Sequence, residues 1–244
     1  MMNDSRIAVV IPTYNEIKNI GLLIRSLMGI NPSFSIVVID DNSPDGTYRE
    51  VKKLQEVYKN LYLIVRDRKR GLGSAYIEGF RYALRKGYEL ILQMDADSSH
   101  LPSYIPDMIK LMSEYDLVIG SRYIPKGGVA DWPLGRVLIS RLANIFSQLL
   151  LRIPIHDLTS GFKCMKRSVL EKIDFATLTS RGYVFQIEMV LRAFLKSFKI
   201  IEYPILFKGR KREKSKMSLS IILETFFRVI FFSFKRFFIN QRDF

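Results

Sequence analysis

The chain has 244 residues, which is enough for one large domain or for one domain with an appendage. Hydrophobic residues make up 48% and charged residues 25%, so the composition excludes a disordered chain and permits a sizeable core. One cysteine excludes an intrachain disulfide framework, and two histidines argue against a zinc site. The formal net charge of +14 indicates an anionic partner such as nucleic acid, an anionic lipid surface or a phosphorylated substrate.

Short apolar runs alternate with segments of helical spacing through the first half of the chain. The predicted strands are 7–11, 35–39, 61–65, 89–94 and 117–119, and the predicted helices are 17–28, 48–58, 74–86 and 105–113. This alternation predicts an α/β fold with a Rossmann-like, mostly parallel central sheet and helices on both faces. The regular pattern fades after about residue 125, and no internal repeat or low-complexity linker follows.

Polar and acidic residues follow three of these predicted strands, at 12–16, 40–43 and 95–97. In open α/β sheets the ligand binds in the crevice beyond the carboxyl ends of the strands. Asp95 and Asp97 stand two residues apart where a strand breaks into a loop, so their carboxylates can converge on one point. Oxygen ligands of this kind suit Mg²⁺ or Mn²⁺. Loop capping is the structural alternative for the pair.

The glycines Gly71 and Gly73 precede a predicted helix, but the third glycine of a dinucleotide fingerprint is missing and no P-loop is present. The segment 66–73 is instead predicted to be a tight basic turn near a phosphate. The segment 42–47 is predicted to be a turn in which Thr47 caps the following helix, with Glu50 three residues later.

Two later segments, 137–153 and 220–238, have a narrow polar stripe and a broad apolar face at helical spacing. Burial against the sheet or a dimer partner would explain each one alone. Basic residues flank both segments, and this favours contact with a membrane interface. They are Arg136, Arg141, Lys235 and Arg236. From residue 199 onward the chain carries eleven Lys or Arg and four Asp or Glu, with eight of the 17 Phe after residue 225.

Neither a signal peptide nor an uninterrupted run of about 20 apolar residues is found, so we expect no transmembrane helix. The expected location is cytoplasmic, with peripheral association to the membrane.

Six motifs, in order, resemble those of the polyprenol-phosphate mannosyltransferases, the dolichol-phosphate mannose synthases of inverting glycosyltransferase family 2. The motifs are 10–16, 40–47, 71–73, 94–97, 120–122, and Asp157 with 160–162. The resemblance runs from about residue 7 to residue 217. It implies a GT-A fold in a catalytic domain of residues 1–217, which contains the amphipathic helix at about 137–153. Residues 218–244 would then form a C-terminal membrane-interface segment.

The resemblance also assigns residues to parts of the site. Nucleotide binding is implied for Pro12, Tyr14, Glu16, Ile39, Asp41, Asp95, Ala96, Asp97, Arg210 and Lys216, the last two in a basic loop over the donor. Metal binding is implied for Asp95 and Asp97, with Ser99 where some relatives carry a further ligand. Acceptor-phosphate binding is implied for Arg122, Arg136 and Ser140, and orientation of sugar hydroxyls for Asp157 and Glu188.

The activity implied is mannose transfer from GDP-mannose to a polyprenyl or dolichyl monophosphate, with inversion and with Mg²⁺ or Mn²⁺. Asp95, Asp97 and Arg122 are the expected catalytic residues. A phosphate monoester is mostly ionised at neutral pH because its second pKa is about 6, so no strong general base is needed. One alternative is a polyprenol-phosphate glucosyltransferase using UDP-glucose. Another is a non-catalytic basic module that binds lipid or nucleic acid.

Two modes of membrane association are open for such an enzyme. Either the chain docks through its own amphipathic helices, or it needs a small membrane-anchoring protein. Nucleic acid is not expected as a partner of the enzyme.

Overall fold

A computed structural model describes residues 6–178, 180, 182–209 and 219–238. The strands are β1 (Ile7–Thr13), β2 (Ser35–Asp40), β3 (Leu61–Val65), β4 (Leu90–Gln93), β5 (Leu117–Ser121), β6 (Gly128–Ala130), β7 (Lys163–Lys166), β8 (Ile200–Pro204) and β9 (Leu206–Lys208). The helices are α1 (Ile20–Ile30), α2 (Thr47–Val57), α3 (Leu72–Arg85), α4 (Ile105–Leu111), α5 (Leu134–Leu151), α6 (Arg167–Lys172), α7 (Gly182–Leu195) and α8 (Leu219–Phe238). A 3-10 turn, Pro102–Tyr104, precedes α4.

Seven strands form the central sheet, in the order β3-β2-β1-β4-β7-β5-β8. Strand β7 runs antiparallel to both of its neighbours, β4 and β5, and the other pairings in this sheet are parallel. Strands β6 and β9 form a separate parallel pair. The carboxyl ends of β1, β2 and β4 therefore lie at one edge, because these three parallel strands are adjacent.

The sheet is covered on both faces because successive side chains of each strand point to opposite sides. Val9 and Ile11 belong to one buried cluster with α1, whereas Ala8 and Val10 belong to the other with α3 and α7. Helix α3 comes very close to β1, since a Cβ on Gly79 would lie 2.3 Å from Val10 Cγ1. This close approach brings the side chains of α3 beneath the strand ends. The predicted α/β fold is confirmed.

All five predicted strands are present, and each end lies within two residues of its predicted position. Strands β6 to β9 were not predicted, because β6 and β9 are only three residues long and β7 has a lysine at each end. The predicted cap at Thr47 is wrong. Helix α2 begins at Thr47, Gly46 precedes it with φ of 88°, and Asp45 Oδ1 accepts the Thr47 N–H at 2.9 Å.

Helix α5 lies against α8, where the rings of Phe146 and Phe226 stack at 4.8 Å and Ser233 Oγ donates to the Leu150 carbonyl at 3.1 Å. By length and composition α5 is apolar enough to cross a membrane: it has 18 residues with mean hydropathy 1.3, of which 22% are buried. The sequence alone predicts no such helix, because Arg136 and Arg141 interrupt its apolar run. Its length and hydropathy do not by themselves show that α5 crosses a membrane, since it also packs against α8.

Candidate functional site

The ends of β1 and β2 are held together by a buried carboxylate. Asp40 accepts hydrogen bonds from Thr13 Oγ1 at 2.7 Å, from the Ser43 N–H at 2.8 Å and from Ser43 Oγ at 2.7 Å. A buried carboxylate is stable only when it is paired in this way. Asp40 thus fixes the loop that presents the neighbouring Asp41, and it does not itself face a ligand.

The loop after β1, which contains Tyr14 and Glu16, is braced by the segment before α2. The Glu16 N–H donates to Thr47 Oγ1 at 2.9 Å, and the Ile17 N–H donates to Asp45 Oδ2 at 3.0 Å. Burial acts to raise the pKa of Asp45, but hydrogen bonds from Thr47 and from the Ile17 backbone hold it below its usual value. The segment 42–47 therefore supports the expected nucleotide loop as well as forming a turn.

Asp41, expected to hold the nucleotide, is engaged by the basic turn that follows β3. Its Oδ1 is ion-paired with Arg66, and its Oδ2 accepts the Arg70 N–H at 3.2 Å. Arg66, one of the cations of the basic turn predicted to lie near a phosphate, is thus buried against a carboxylate instead. Among the other expected nucleotide residues, Pro12 and Ile39 have buried side chains, so they shape the strand ends through their backbone.

Asp95 follows β4 and is half-buried, with partners on three sides. Its Oδ1 accepts the Tyr76 hydroxyl at 2.6 Å, and its N–H donates to His100 Nδ1 at 3.2 Å. A Cβ on Gly161 would lie only 3.0 Å from Asp95 Oδ2. Burial, followed by the charge of Asp95, raises the pKa of Tyr76 well above its ordinary value, so the phenol remains a hydrogen-bond donor. These contacts fix the orientation of the carboxylate.

Asp97 and Ser99 complete the acidic loop, in which the buried residue Ala96 separates the two acids. The Ser99 N–H donates to Asp97 Oδ1 at 3.1 Å, and Ser99 Oγ is buried without a hydrogen-bond partner among the described residues. The described residues contain no group of three Asp, Glu, His or Cys side chains around one point. Two carboxylates with an orphaned hydroxyl fit Mg²⁺ or Mn²⁺, since such ions take one or two carboxylates and complete their shell with water and phosphate.

His100 is a buried site residue that the sequence did not single out. Its Nδ1 accepts the Asp95 N–H, and its ring stacks on Phe162 at 5.1 Å and meets Phe207 edge-on at 5.3 Å. Burial lowers the pKa of His100, so the imidazole is neutral at physiological pH. Its position in the sequence, five residues after Asp95, is the only signal that could have found it.

Arg122 makes its bidentate pair inside the protein. Its Nε donates to Asp157 Oδ2 at 2.7 Å and its Nη2 donates to Asp157 Oδ1 at 2.6 Å and to Thr159 Oγ1 at 2.8 Å. Burial acts to raise the pKa of Asp157, but the charge and hydrogen bonds of Arg122 hold it below its usual value. Two expectations change: the bidentate edge of Arg122 faces Asp157 rather than a phosphate, and Asp157, fully buried, does not reach a sugar hydroxyl.

The three residues expected at the acceptor phosphate lie close together. The guanidinium carbon of Arg136 is 3.8 Å from the ring centre of Trp132, and that of Arg122 is 5.6 Å from the same ring. Ser140 Oγ accepts the hydroxyl of Tyr123, the residue next to Arg122, at 2.6 Å. Trp132 is thus flanked by two guanidinium groups, an arrangement that cation–π attraction stabilises.

A buried lysine lies behind the acidic loop. Lys163 Nζ donates to the Ser160 carbonyl and to Gln186 Oε1, and Gln93 Nε2 donates to the same amide oxygen at 2.6 Å. Burial lowers the pKa of Lys163 to about 7, against the opposing charges of Asp157 and Asp95. The sequence did not identify Lys163, because β7 was not predicted and its place between β4 and β5 was unknown.

Glu188, expected to orient a sugar hydroxyl, is not brought to the site. Glu188 is buried in α7, where its Oε1 accepts from Arg192 Nη2 at 2.6 Å and Nε at 3.1 Å. It therefore does not face a sugar hydroxyl, and Arg192 links it to the Thr177 carbonyl at 2.9 Å. Arg210 and Lys216 lie outside the described residues.

Comparison with known proteins agrees with this geometry. The sequence model for Glycosyl transferase family 2 matches residues 8–174. The chain is 42% identical over 226 residues to Polyprenol monophosphomannose synthase from Mycolicibacterium smegmatis, covering 92% of this chain and 85% of the relative. It is 37% identical over 221 residues to Undecaprenyl-phosphate mannosyltransferase from Micrococcus luteus, covering 90% of each.

Similarity to solved structures extends over nearly the whole chain. Glucosyl-3-phosphoglycerate synthase from Mycobacterium tuberculosis, solved with Mn²⁺ and UDP-glucose, superposes with a TM-score of 0.65 at 18% identity. The superposition covers 96% of this chain and 79% of that one. The likeness is one of fold, and it agrees with the expected GT-A arrangement.

Proposed function

Because this chain belongs to glycosyl transferase family 2, we propose that it transfers mannose from GDP-mannose to a polyprenyl monophosphate, with inversion at the anomeric carbon. Membership in the family confirms the predicted enzyme class and contradicts the alternative of a non-catalytic binding module. The names of the two curated relatives support mannose as the sugar and a polyprenyl phosphate as the acceptor.

The observation that carries the proposal is a continuous series of contacts between the acidic loop and the guanidinium groups. The Asp95 N–H donates to His100 Nδ1, and the ring centres of His100 and Phe207 are 5.3 Å apart. The guanidinium carbon of Arg122 lies 5.4 Å from the ring centre of Phe207. An anionic diphosphate and an anionic acceptor can therefore bind side by side, one near the carboxylates and one near the cations. Without compensating charge, two such anions would repel each other.

Asp95 and Asp97 would hold the divalent cation, and Ser99 Oγ is the candidate third protein ligand. When bound, such a cation would neutralise the charge that develops on the diphosphate leaving group. Tyr76 keeps one oxygen of Asp95 in place through its hydroxyl, so the carboxylate needs little reorganisation on binding. The Mn²⁺ in the M. tuberculosis structure supports a divalent metal in this fold.

The acceptor phosphate is its own nucleophile, because it is mostly ionised at neutral pH. Arg136 and Ser140 would bind and orient it, and Arg122, locked by Asp157, would add a fixed positive charge beside it. Since the guanidinium of Arg122 cannot rotate freely, its charge is held in place before the substrate arrives. Attack in line on the anomeric carbon then gives the inverted product.

The apolar faces of α5 and α8 are proposed to dock on the membrane that holds the polyprenyl chain. Among the described side chains of these helices, twelve large apolar ones are exposed: Leu134, Leu138, Ile139, Leu142, Ile145, Leu149, Phe226, Phe227, Ile230, Phe231, Phe234 and Phe237. Apolar surface on this scale, bordered by basic residues, is typical of membrane contact. The first turn of α5 contains Arg136, so the lipid surface and the acceptor phosphate would meet there.

Flotation with liposomes tests this docking and separates it from dependence on a small membrane-anchoring protein. The protein alone is expected to float with anionic vesicles, and the double variant Phe227→Ser/Phe231→Ser is expected to stay in the bottom fraction. Leu22→Ser is the matched control, because Leu22 is as exposed as Phe227, at 65%, but lies on α1. If the unmodified protein does not float, the chain does not dock by itself and an anchoring protein becomes the explanation.

Turnover with radiolabelled GDP-mannose and a polyprenyl phosphate, with and without a chelator, tests the proposed reaction. We expect lipid-linked label that disappears with the chelator and returns with Mg²⁺ or Mn²⁺. Asp97→Ala should remove most turnover while the fold persists. UDP-glucose serves as the competing donor, and faster transfer from it would replace mannose with glucose in the proposal.

A further inference from the structure

Helix α5 is amphipathic in the reverse of the usual sense. Its four buried residues are Ser140, Asn144, Ser147 and Leu151, at the spacing of one helical face, so three of the four are polar. Its opposite face exposes leucines and isoleucines. Buried polar side chains are costly unless each has a hydrogen-bond partner, so the partners of this inner stripe indicate what the helix is attached to.

Asn144, 2% exposed, makes the most specific of these attachments. Its Nδ2 donates to Thr159 Oγ1 at 3.0 Å, and its Oδ1 accepts the Thr159 N–H at 3.3 Å. One side chain therefore holds both the backbone and the hydroxyl of a single residue in the loop 157–161. Ser147, on the same stripe, donates only to the Ala143 carbonyl of its own helix at 2.8 Å.

Thr159 in turn contacts the locked guanidinium of Arg122. Its Oγ1 accepts from Arg122 Nη2 at 2.8 Å and donates to Asp157 Oδ1 at 3.3 Å. The orientation of this hydroxyl is set by Asn144, because the amide Nδ2 and the guanidinium both donate to the same oxygen. The hydroxyl is left to donate to Asp157. Asn144 and Arg122 are thus connected through one shared atom.

We propose that Asn144 is a positioning residue. By way of Thr159 it fixes the position of the Arg122 guanidinium relative to α5, so that this cation meets the acceptor phosphate at a fixed distance from the membrane-facing helix. This inference rests on the proposed function, in which the outer face of α5 lies on the lipid that carries the acceptor. A phosphate attached to a lipid tail is confined in depth, so its cation must be fixed relative to the surface that docks. We expect donor binding to be much less affected, because the hydrogen bonds of Asn144 go to Thr159 and to its own helix.

The test compares Asn144→Ala with Ser147→Ala, which removes a buried polar group of the same stripe without crossing to the loop. Asn144→Ala is expected to raise the KM for the polyprenyl phosphate about tenfold, the equivalent of one or two lost hydrogen bonds. The KM for GDP-mannose should change by less than about twofold. Ser147→Ala should leave both constants unchanged.

The variants Thr159→Ser and Thr159→Val test the same link at Thr159 instead of Asn144. They also test the proposal if Asn144→Ala does not fold. Serine keeps the hydroxyl and the N–H, so its acceptor KM should be that of the wild type. Valine keeps the shape but loses the oxygen that Arg122 and Asn144 share, so its acceptor KM should rise as in Asn144→Ala. Equal constants for the serine and valine variants would overturn the inference.

Binding measured without turnover keeps the two proposals distinguishable. Trp132 is the single tryptophan and lies 5.6 Å from the Arg122 guanidinium, so its fluorescence reports acceptor binding directly. A wild type that binds a short-chain polyprenyl phosphate but transfers no mannose would refute the proposed function alone. Asn144→Ala with wild-type acceptor affinity in this titration would refute the positioning role alone.

Discussion

Replacing Asp157 by asparagine is the sharpest test of how the site is built. Asp157 is fully buried, and both of its oxygens accept from Arg122, which is itself 6% exposed. The substitution keeps the shape but leaves a buried guanidinium without its counter-charge. Breaking a buried ion pair on one side costs about 3–5 kcal/mol, and in a chain of this size that lowers Tm by about 6–20 °C.

The assay is thermal unfolding followed by circular dichroism, with Asp67→Asn as the matched control. Asp67 also pairs with an arginine, Arg70, but the two side chains are 59% and 51% exposed, so solvent screens that pair and it contributes little to stability. A double variant, Asp157→Asn with Arg122→Met, should recover part of the loss because it removes the orphaned charge. If Asp157→Asn and Asp67→Asn unfold at the same temperature, the account of Arg122 as a locked cation is wrong.

The same variant has a pH signature. The folded-state pKa of Asp157 lies below its ordinary value of 3.8, so its contribution to stability is fully present above that pH. It is lost as the pH falls further, through the folded-state pKa. The difference in stability between the wild type and Asp157→Asn should therefore be constant at neutral pH and shrink below about pH 4.

Three further outcomes are expected. Gly161→Ala should lower kcat about tenfold or more, because the new Cβ would lie 3.0 Å from Asp95 Oδ2. Gly135→Ala is the control and should be neutral, because no atom lies within 4 Å of its added Cβ. Equal kcat values for the two variants would contradict the close approach of Gly161 to Asp95. Lys163→Met should flatten the pH dependence of the unfolding free energy between pH 7 and 10. Burial holds the folded-state pKa of Lys163 at about 7, so the wild type gains stability as the pH rises above that value. If urea titrations give the wild type and the variant parallel profiles of unfolding free energy against pH, a buried, neutralised amine is excluded. Arg136→Ala should raise the acceptor KM more than the donor KM, and equal effects on both in steady-state kinetics would remove it from the acceptor site.

Much of the architecture could be predicted because it depends on local patterns. The apolar runs of β1 to β5 have strand length and are bounded by polar segments, so periodicity and turn residues identified all five. The acids after β1, β2 and β4 could be assigned to one edge, because parallel neighbours in an α/β sheet end on the same side. Asp95 and Asp97 could be paired without further information, since only Ala96 lies between them along the chain.

The charge partners could not be predicted, because they depend on which distant segments meet. Arg122 and Asp157 are 35 residues apart and Arg66 and Asp41 are 25 apart. The family resemblance assigns Arg122, Asp157 and Asp41 to ligands rather than to a partner within the protein. Glu188 is likewise expected at the site from the family resemblance, although Arg192 on the same helix neutralises it. A buried charge pairs with an opposite charge that the fold brings close to it, and the spacing of residues along the chain does not indicate which charge that is.

The amino-acid sequence by itself determined the α/β class, the edge of the sheet where a ligand is proposed to bind and the acidic pair beside it, because these follow from short-range periodicity and strand polarity. Only the tertiary structure decided that β7 enters antiparallel between β4 and β5, carrying Lys163 behind Asp95, and that the polar side of α5 faces inward. The physical reason is that both features arise where remote segments satisfy one another's hydrogen bonds and charges. Such pairings have no periodic signature along the chain.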